Sequence, residues 1–277
     1  MMTPTLAAKQ RAGVPGRARR SGGWGPAARL FVAVALSPAP AVAQDNFEIQ
    51  VYGADLVAPG HTMVELHSNF TATGRRAVTD GVWPTERALH ETLEVTHGFT
   101  PWFEVGWYTF TSVQQGADWN WVGDHLRPRL RAPENWQWPV GASLSFEFGY
   151  QRRAFATDTW TLEVRPIVDR RLGRWYWAVN PALERALRGP SVARGFELAP
   201  NAALTYDVSA AVTLGVEYYG SLGPVSGFDP VDLQQHQLFP ALDLNLSPNF
   251  EFNFGVGLGL TGATDRLIVK LITGYRF

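Results

Sequence analysis

The chain has 277 residues, with 25 acidic and 24 basic side chains, no cysteine, and 11 Trp, 8 Tyr and 16 Phe. The lack of cysteine excludes disulfides, thiolate metal sites and cysteine nucleophiles. Since the sequence has no apolar run long enough for a transmembrane helix, a membrane-spanning form of this chain would have to be a closed β-barrel.

Residues 1–43 predict a secretory signal peptide. An apolar run, Leu30–Leu36, and then Ala41-Val42-Ala43 follow a basic region, and these are the parts of such a leader. Six basic residues and no acidic one lie in this stretch: Lys9, Arg11, Arg17, Arg19, Arg20 and Arg29. We expect cleavage after Ala43. A later start at Val14 and a twin-arginine export signal at Arg19-Arg20 are alternatives.

Removal of the leader would leave 18 basic residues against 25 acidic ones, a net charge of about −7. A protein that binds nucleic acid needs a basic surface to neutralise phosphates. The mature chain is therefore not expected to have nucleic acid as a partner.

Residues 44–60 are predicted to form an N-terminal extension, tucked into or under the domain that follows. Residues 61–277 alternate polar and apolar side chains with the period of β-strands. Twelve strands are predicted, at 61–72, 88–99, 103–113, 122–132, 141–151, 159–169, 174–183, 196–207, 211–220, 236–246, 250–260 and 266–277. The fold class is all-β, a transmembrane antiparallel up-and-down β-barrel with the last strand paired to the first.

The lengths of the links support a membrane barrel. Tight links at 100–102, 170–173, 208–210 and 247–249 alternate with long ones at 73–87, 114–121, 184–195 and 221–235, as in outer-membrane barrels. Two links depart from this rhythm, because 132–140 is long for a turn and 262–265 is short for a loop. Five prolines fall inside the predicted strands, where we expect bulges or missing hydrogen bonds: Pro128, Pro166, Pro181, Pro200 and Pro240.

Aromatic residues near the tight turns and the C-terminus predict an interfacial girdle: Trp102, Trp175, Trp177, Phe250, Tyr275 and Phe277. The last strand alternates Leu271, Thr273, Tyr275 and Phe277 on its outward face. This ending looks like the C-terminal signal that the barrel-assembly machinery recognises. The machinery and outer-membrane lipid are therefore the expected partners, and the bacterial outer membrane is the expected location.

The polar face of the strands concentrates charge, which predicts a charged lumen. Arg127, Arg129 and Arg131 share one face and form a ladder, and the neighbouring strands offer Glu104 and Glu147. These charges either pair and stiffen a filled lumen or set up a field that selects solutes across a pore. The predicted lumen residues are Glu65, Glu104, Arg127, Arg129, Arg131, Glu147, Glu163, Arg165, Glu217, Asp243, Glu251 and Lys270.

No sequence pattern points to an enzyme, a metal site or a cofactor. The histidines form no H-x-H or H-x₃-H pair beside a carboxylate at ligand spacing, and no H-x-S pair could place a Ser–His couple on one face of a strand. Walker, Rossmann and zincin motifs do not occur. We expect no enzymatic activity, no cofactor and no metal.

Several stretches resemble a group of uncharacterised proteobacterial outer-membrane proteins, which is similar to the proposed phenol-degradation channels of the MetA pathway. They are 48–53 (EIQVYG), 58–62 (APGHT), 65–70 (ELHSNF), 96–104 (THGFTPWFE), 165–175 (RPIVDRRLGRW) and 180–184 (NPALE). The resemblance covers most of the mature chain. It implies a barrel and the passage of small aromatic or apolar solutes.

The sequence thus predicts an outer-membrane barrel acting as a narrow passive pore for small solutes. A barrel of about twelve strands lies between small ones that side chains fill and large ones that enclose a wide channel. The alternative is a non-conducting barrel with a charge-paired, plugged lumen and a structural or binding role.

Overall fold

The computed structural model describes residues 46–114 and 116–277. The predicted leader, 1–43, lies outside them. In the described ranges the chain forms thirteen strands: β1 (Thr62–Thr73), β2 (Ala88–Thr100), β3 (Phe103–Gln114), β4 (Asn120–Arg131), β5 (Gly141–Gln151), β6 (Trp160–Leu172), β7 (Trp175–Arg188), β8 (Phe196–Asp207), β9 (Val212–Ser221), β10 (Gly223–Pro224), β11 (Gln235–Leu244), β12 (Phe250–Gly259) and β13 (Leu267–Arg276). The links between strands also contain two short 3₁₀ helices, Glu134–Trp136 and Pro190–Arg194.

Twelve of these described strands form a closed antiparallel barrel, and β10 is a two-residue strand that pairs with the end of β8. The barrel closes where β1 pairs with β13, in a register that runs from Met63 opposite Arg276 to Thr73 opposite Leu267. Each other barrel strand pairs with its neighbours along the chain, and β9 pairs directly with β11. Closure gives each of the twelve barrel strands two partners, so the predicted all-β, antiparallel up-and-down barrel and the predicted pairing of last strand with first are confirmed.

The strands match the predicted segments closely, with two corrections. The predicted turn 170–173 is tighter, because β6 continues to Leu172 and β7 starts at Trp175. The predicted loop 184–195 is shorter, because β7 runs on to Arg188. Charged residues in both extensions obscured the alternation. Among the described residues, no helix is long and apolar enough to cross a membrane.

The two faces of each strand differ as predicted. On β13, the side chains of Ile268, Lys270 and Ile272 are buried inside the barrel. The outward face of the barrel is apolar and exposed, with such residues as Leu66, Phe70, Trp107, Leu126, Phe148, Leu204, Leu214 and Leu258. A water-soluble surface rarely exposes so continuous an apolar area, so this exterior is suited to lipid.

Aromatic rings collect at both ends of the barrel. We call the end with the links 101–102, 132–140, 173–174, 208–211 and 245–249 the turn end, and the opposite end the loop end. At the turn end the ring pairs are Phe99–Phe103, Trp136–Trp138, Trp175–Tyr206 and Tyr275–Phe277, with centroids 5.8, 5.1, 4.8 and 5.1 Å apart. At the loop end Tyr150 lies 5.9 Å from Trp121 and 5.2 Å from Trp160. Belts of aromatic residues at both ends of a barrel are typical of membrane interfaces.

The in-strand prolines coincide with gaps in the ladders, as predicted. Within the described strands, β4–β5 pairing skips Arg127 and Pro128, β6–β7 pairing skips 165–167 and 180–182, and β11–β12 pairing skips Phe239 and Pro240. Pro200 lies between the part of β8 that pairs with β9 and the part that pairs with β10. Proline has no N–H to donate, so each ladder is interrupted there.

Residues 46–60 run through the inside of the barrel and form no strand. Their apolar side chains alternate with polar ones and are buried in three clusters against inward-facing residues. Phe47 packs with Tyr108, Phe110 and Val122; Ile49 packs with Tyr219, Phe239 and Ile268; Tyr52 and Ala54 pack with Ile167. We call this stretch, 46–60, the inner segment. It occupies much of the space that a barrel of this size would otherwise leave open.

Gly98 leaves room for the inner segment, and a side chain there should displace it. A Cβ at Gly98 would run into the carbonyl oxygens of Val57 and Ala58, so Gly98→Ala should destabilise the barrel by about 1–3 kcal/mol. Gly262→Ala is the matched control, because a Cβ there meets nothing nearby. Reversible urea unfolding in lipid vesicles measures the free energy of unfolding. Equal stability of the two variants would contradict the packing described.

Candidate functional site

The lumen holds the charged residues that the sequence singled out. Eight of the twelve are buried: Glu65, Glu104, Arg127, Arg129, Glu147, Arg165, Glu217 and Lys270. The other four, Arg131, Glu163, Asp243 and Glu251, are partly buried. Their strand positions share the inward face, so the structure brings them together, while their role in lining a pore stays a prediction.

The arginine ladder on β4 is paired along its whole length. Arg127 Nη2 lies 2.6 Å from Glu94 Oε1, and Arg129 Nε lies 2.8 Å from Glu104 Oε1. Arg131 pairs with Asp55 of the inner segment at 2.8 Å. Glu147, which we expected beside the ladder, instead lies 2.5 Å from Nδ1 of His125. Removing such charges from water is costly, and each pair offsets part of that cost.

Tyr52 of the inner segment lies among three guanidinium groups. Its ring centroid is 4.2 Å from Cζ of Arg127, 5.2 Å from Arg165 and 5.7 Å from Arg129. Its hydroxyl donates to Glu48. Cations over an aromatic face are attracted by the ring quadrupole, more strongly when desolvated. This contact could not be predicted from the sequence, because nothing in it indicated the path of residues 44–60.

Backbone hydrogen bonds fix the inner segment to the lumen wall. The Tyr52 N–H donates to Asn180 Oδ1 at 2.7 Å, and Asn180 Nδ2 donates to the Tyr52 carbonyl at 2.9 Å. Arg129 donates to the carbonyls of Gly53 and Asp55 at 3.1 and 2.5 Å, and the Val57 N–H donates to Glu104 at 2.6 Å. Side chains of the barrel thus replace the strand partners that this stretch lacks.

A second charged centre lies on the opposite wall. Lys270 pairs with Glu217 and donates to the Ile49 carbonyl at 3.2 Å. Asn253 Nδ2 donates to Glu217 Oε1 at 3.2 Å and to Asp243 Oδ1 at 2.6 Å. Lys270 therefore lies among the acidic side chains of this wall.

A cavity of about 550 Å³ lies at the loop end of the lumen. Residues 46–48 of the inner segment line it, together with loop residues of 74–85, 155–158 and 262–266. An aromatic wall is formed by Trp83, Phe110 and Phe155, with the rings of Trp83 and Phe155 5.2 Å apart. Carboxylates and arginines, including Glu147, Glu163 and Arg165, line the remainder. The cavity can hold a small molecule between apolar and charged surfaces.

The rim of this cavity is tied together by Asp265. Its carboxylate accepts hydrogen bonds from Asn46 Nδ2 at 2.5 Å, the Arg75 N–H at 3.1 Å and Thr85 Oγ1 at 2.7 Å. In the same loop the Gly74 N–H donates to Glu86, which holds the pKa of that carboxyl below its ordinary value. The loop 74–87, the link 260–266 and the start of the inner segment therefore form one connected rim.

Glu65, His67 and Glu94 meet on the lumen wall near the turn end, with one candidate ligand atom from each within 4.8 Å of the others. The expectation of no metal rested on His–His spacings. Those spacings do not take in contacts between neighbouring strands. Glu65 and His67, two residues apart on β1, point to the same face, and Glu94 of β2 points to that face as well. Glu65 faces Glu94 directly across the β1–β2 pair.

The C-terminal residues lie as the sequence predicted. Tyr275 and Phe277 are exposed at the turn end, and Leu271 and Thr273 share their outward-facing alternation. The Phe277 N–H donates to the Thr62 carbonyl at 2.9 Å, so the chain end takes part in barrel closure. A role of these four residues in assembly stays a prediction.

Comparisons with known proteins give a fold. No protein-family model matches the chain, and no curated protein does. Among solved structures, an outer membrane channel from Pseudomonas putida F1 matches with a TM-score of 0.55 at 12% identity, covering 83% of this chain and 100% of that one. The KdgM porin matches with a TM-score of 0.49 at 10% identity, covering 78% of this chain and 99% of that one. Omp33 of Acinetobacter baumannii matches with a TM-score of 0.43 at 10% identity, covering 82% of this chain and 100% of that one. At such identities the first match shows a shared barrel fold.

Arg129 should be a main support of the lumen. Arg129→Ala would leave Glu104, which is 1% exposed, buried without its cation and would release two carbonyls of the inner segment. Loss of one partner of a buried pair typically costs about 3–5 kcal/mol. Arg171→Ala is the control, because the Arg171–Asp207 pair is exposed and should contribute less than about 1 kcal/mol. Urea unfolding in vesicles compares the two, and equal losses would contradict the assignment.

Proposed function

We propose that this protein spans the bacterial outer membrane. The apolar exterior between two aromatic belts supports this, because it is the surface that a bilayer core and its two interfaces select. The polar side chains and charges lie inside, as expected where lipid is the outer solvent. Outer-membrane lipid and, during biogenesis, the barrel-assembly machinery are the partners that this proposal includes.

Within that membrane, we propose that the barrel acts as a narrow passive pore for small solutes. The observation that carries this proposal is the cavity of about 550 Å³ at the loop end, which continues the lumen down to the inner segment. Long loops face outward in outer-membrane barrels, so a solute would arrive at this cavity from outside. Passage would then require the inner segment to shift, since its buried residues fill the lumen below.

The solutes proposed are small and aromatic or apolar. The family resemblance of the sequence implies this class, and the aromatic wall of Trp83, Phe110 and Phe155 offers a matching surface. A planar ring could stack there, while the carboxylates and arginines on the facing side would hold a polar substituent.

A non-conducting barrel is the second candidate. The paired arginine ladder and the buried inner segment favour it, because both stabilise a filled lumen. In that case the cavity would be a binding site or a structural void, and no solute would cross.

Conductance separates the two candidates. Replacing residues 46–57 by a glycine–serine stretch of equal length removes the side chains that anchor the inner segment and keeps the chain length. We expect the wild type to conduct weakly in planar bilayers and the variant to conduct several-fold more, because the lumen is cleared. Val225→Ala, in an exposed loop, is the control and should behave as the wild type. If neither protein conducts and liposomes do not swell with any small solute, the non-conducting candidate stands.

The proposed assembly signal can be tested at Phe277. Phe277→Ser should lower the fraction of folded barrel in the outer membrane several-fold, because the terminal aromatic side chain of the signal is lost. Leu246→Ser is the matched control, since Leu246 is 64% exposed and Phe277 is 67% exposed, both at the turn end. Gel migration of unboiled against boiled membrane fractions measures the folded fraction. Equal assembly of the two variants would argue against the signal.

A further inference from the structure

We propose that Glu65, His67 and Glu94 form a binding site for a divalent transition-metal ion, such as Zn²⁺, on the inner wall of the barrel. The three side chains come from adjacent strands, β1 and β2, and one ligand atom of each lies within 4.8 Å of the other two. One imidazole and two carboxylates are a donor set that borderline divalent ions accept, and a water molecule can complete a tetrahedral shell.

His67 gives the first independent indication. Its side chain is fully buried, and neither of its ring nitrogens has a hydrogen-bond partner among the described residues. Its Nε2 points toward Glu94 Oε2 at 3.4 Å, without the geometry of a hydrogen bond. A buried imidazole without a hydrogen bond loses the free energy of its interactions with water, and a metal ion would restore it.

The carboxylates give the second indication. Glu65 is buried, yet no lysine or arginine nitrogen of the described chain lies within 4.0 Å of its oxygens. Within the described ranges its one hydrogen bond comes from Gln50 Nε2 at 3.5 Å, and the same amide group reaches Glu251 at 3.4 Å. Buried carboxylates so close together are unfavourable unless cations compensate them. Arg127 pairs with Glu94, and a divalent ion would supply the charge that Glu65 lacks.

Glu94 is held in the orientation that a ligand needs. Its Oε1 accepts from Arg127 at 2.6 Å and from Thr96 Oγ1 at 2.7 Å, while Oε2 has no hydrogen bond within the described residues. Partners of this kind orient metal ligands and tune their affinity. Arg127 is in turn held over the Tyr52 ring, so the inner segment supports the site through both Tyr52 and Gln50.

A glycine on the neighbouring strand lets Glu65 lie where it does. Gly274 of β13 faces Glu65, and a Cβ there would come within 2.5 Å of Met63 Cε, 2.7 Å of Glu65 Cγ and 3.4 Å of Glu251 Cβ. Any larger residue at this position would push the Glu65 side chain away from His67 and Glu94.

Metal retention by the full chain, extracted from outer membranes in detergent, tests the proposal. After dialysis against Zn²⁺ and then buffer, we expect one tightly held equivalent of zinc that a chelator removes. His67→Gln should weaken Zn²⁺ binding by more than about 10-fold, measured by titration calorimetry. His90→Gln is the matched control: His90 is also buried without hydrogen bonds in the described chain, but it packs on Phe47 rather than beside two carboxylates. The His90→Gln variant should bind zinc as tightly as the wild type does.

Gel migration of unboiled protein checks that each variant is folded. If His67→Gln does not fold, X-ray absorption of zinc-loaded wild type decides, since the proposal requires one imidazole nitrogen and carboxylate oxygens around the metal. A wild type that retains no stoichiometric zinc, a His67→Gln variant that binds as tightly as wild type, or a metal shell of oxygen alone would each overturn the assignment.

Discussion

The pairing of β1 with β13 is the constraint on which the rest of the structure depends. It gives the first and last strands their second partners, and the hydrogen bonds of Thr62 with Phe277 continue it to the chain end. Without closure, two rows of backbone donors and acceptors would be left unsatisfied against an apolar exterior. Successive side chains of a strand point to opposite faces of the sheet. In a closed barrel one of these faces therefore points into the lumen and the other points outward.

An enclosed polar interior then has to satisfy its own charges. Arg127, Arg129 and Lys270 each meet a carboxylate, and each also touches the inner segment through a carbonyl or the Tyr52 ring. The segment therefore belongs to the electrostatic structure of the lumen as well as to its packing. Without residues 46–60, water molecules would have to replace the carbonyl groups and the Tyr52 ring that these cations contact.

Most of the barrel could be predicted from the sequence, because alternation and turn spacing are local signals. The twelve barrel strands, the outward face of Tyr275 and Phe277, and the proline gaps all follow from them. The partners inside the barrel could not be predicted in the same way. Glu94 pairs with Arg127 across an intervening strand, and the path of Tyr52 depends on contacts with residues more than a hundred positions away, such as Asn180. The spacing of nearby residues along the chain says nothing about such long-range contacts. The sequence therefore predicted which residues lie in the lumen, but not which of them pair.

The proline gaps have a mechanical consequence. Pairing of β11 with β12 covers only Gln237–Leu238 and Ala241–Asp243, on either side of the gap at Phe239 and Pro240. The β1–β13 closure, by contrast, is interrupted only near its end. A wall with fewer cross-strand bonds opens under less lateral tension. The seam beside Pro240 is therefore the line along which the barrel would yield first to lateral stretching, and the place where the first and last strands meet is among its stronger joints.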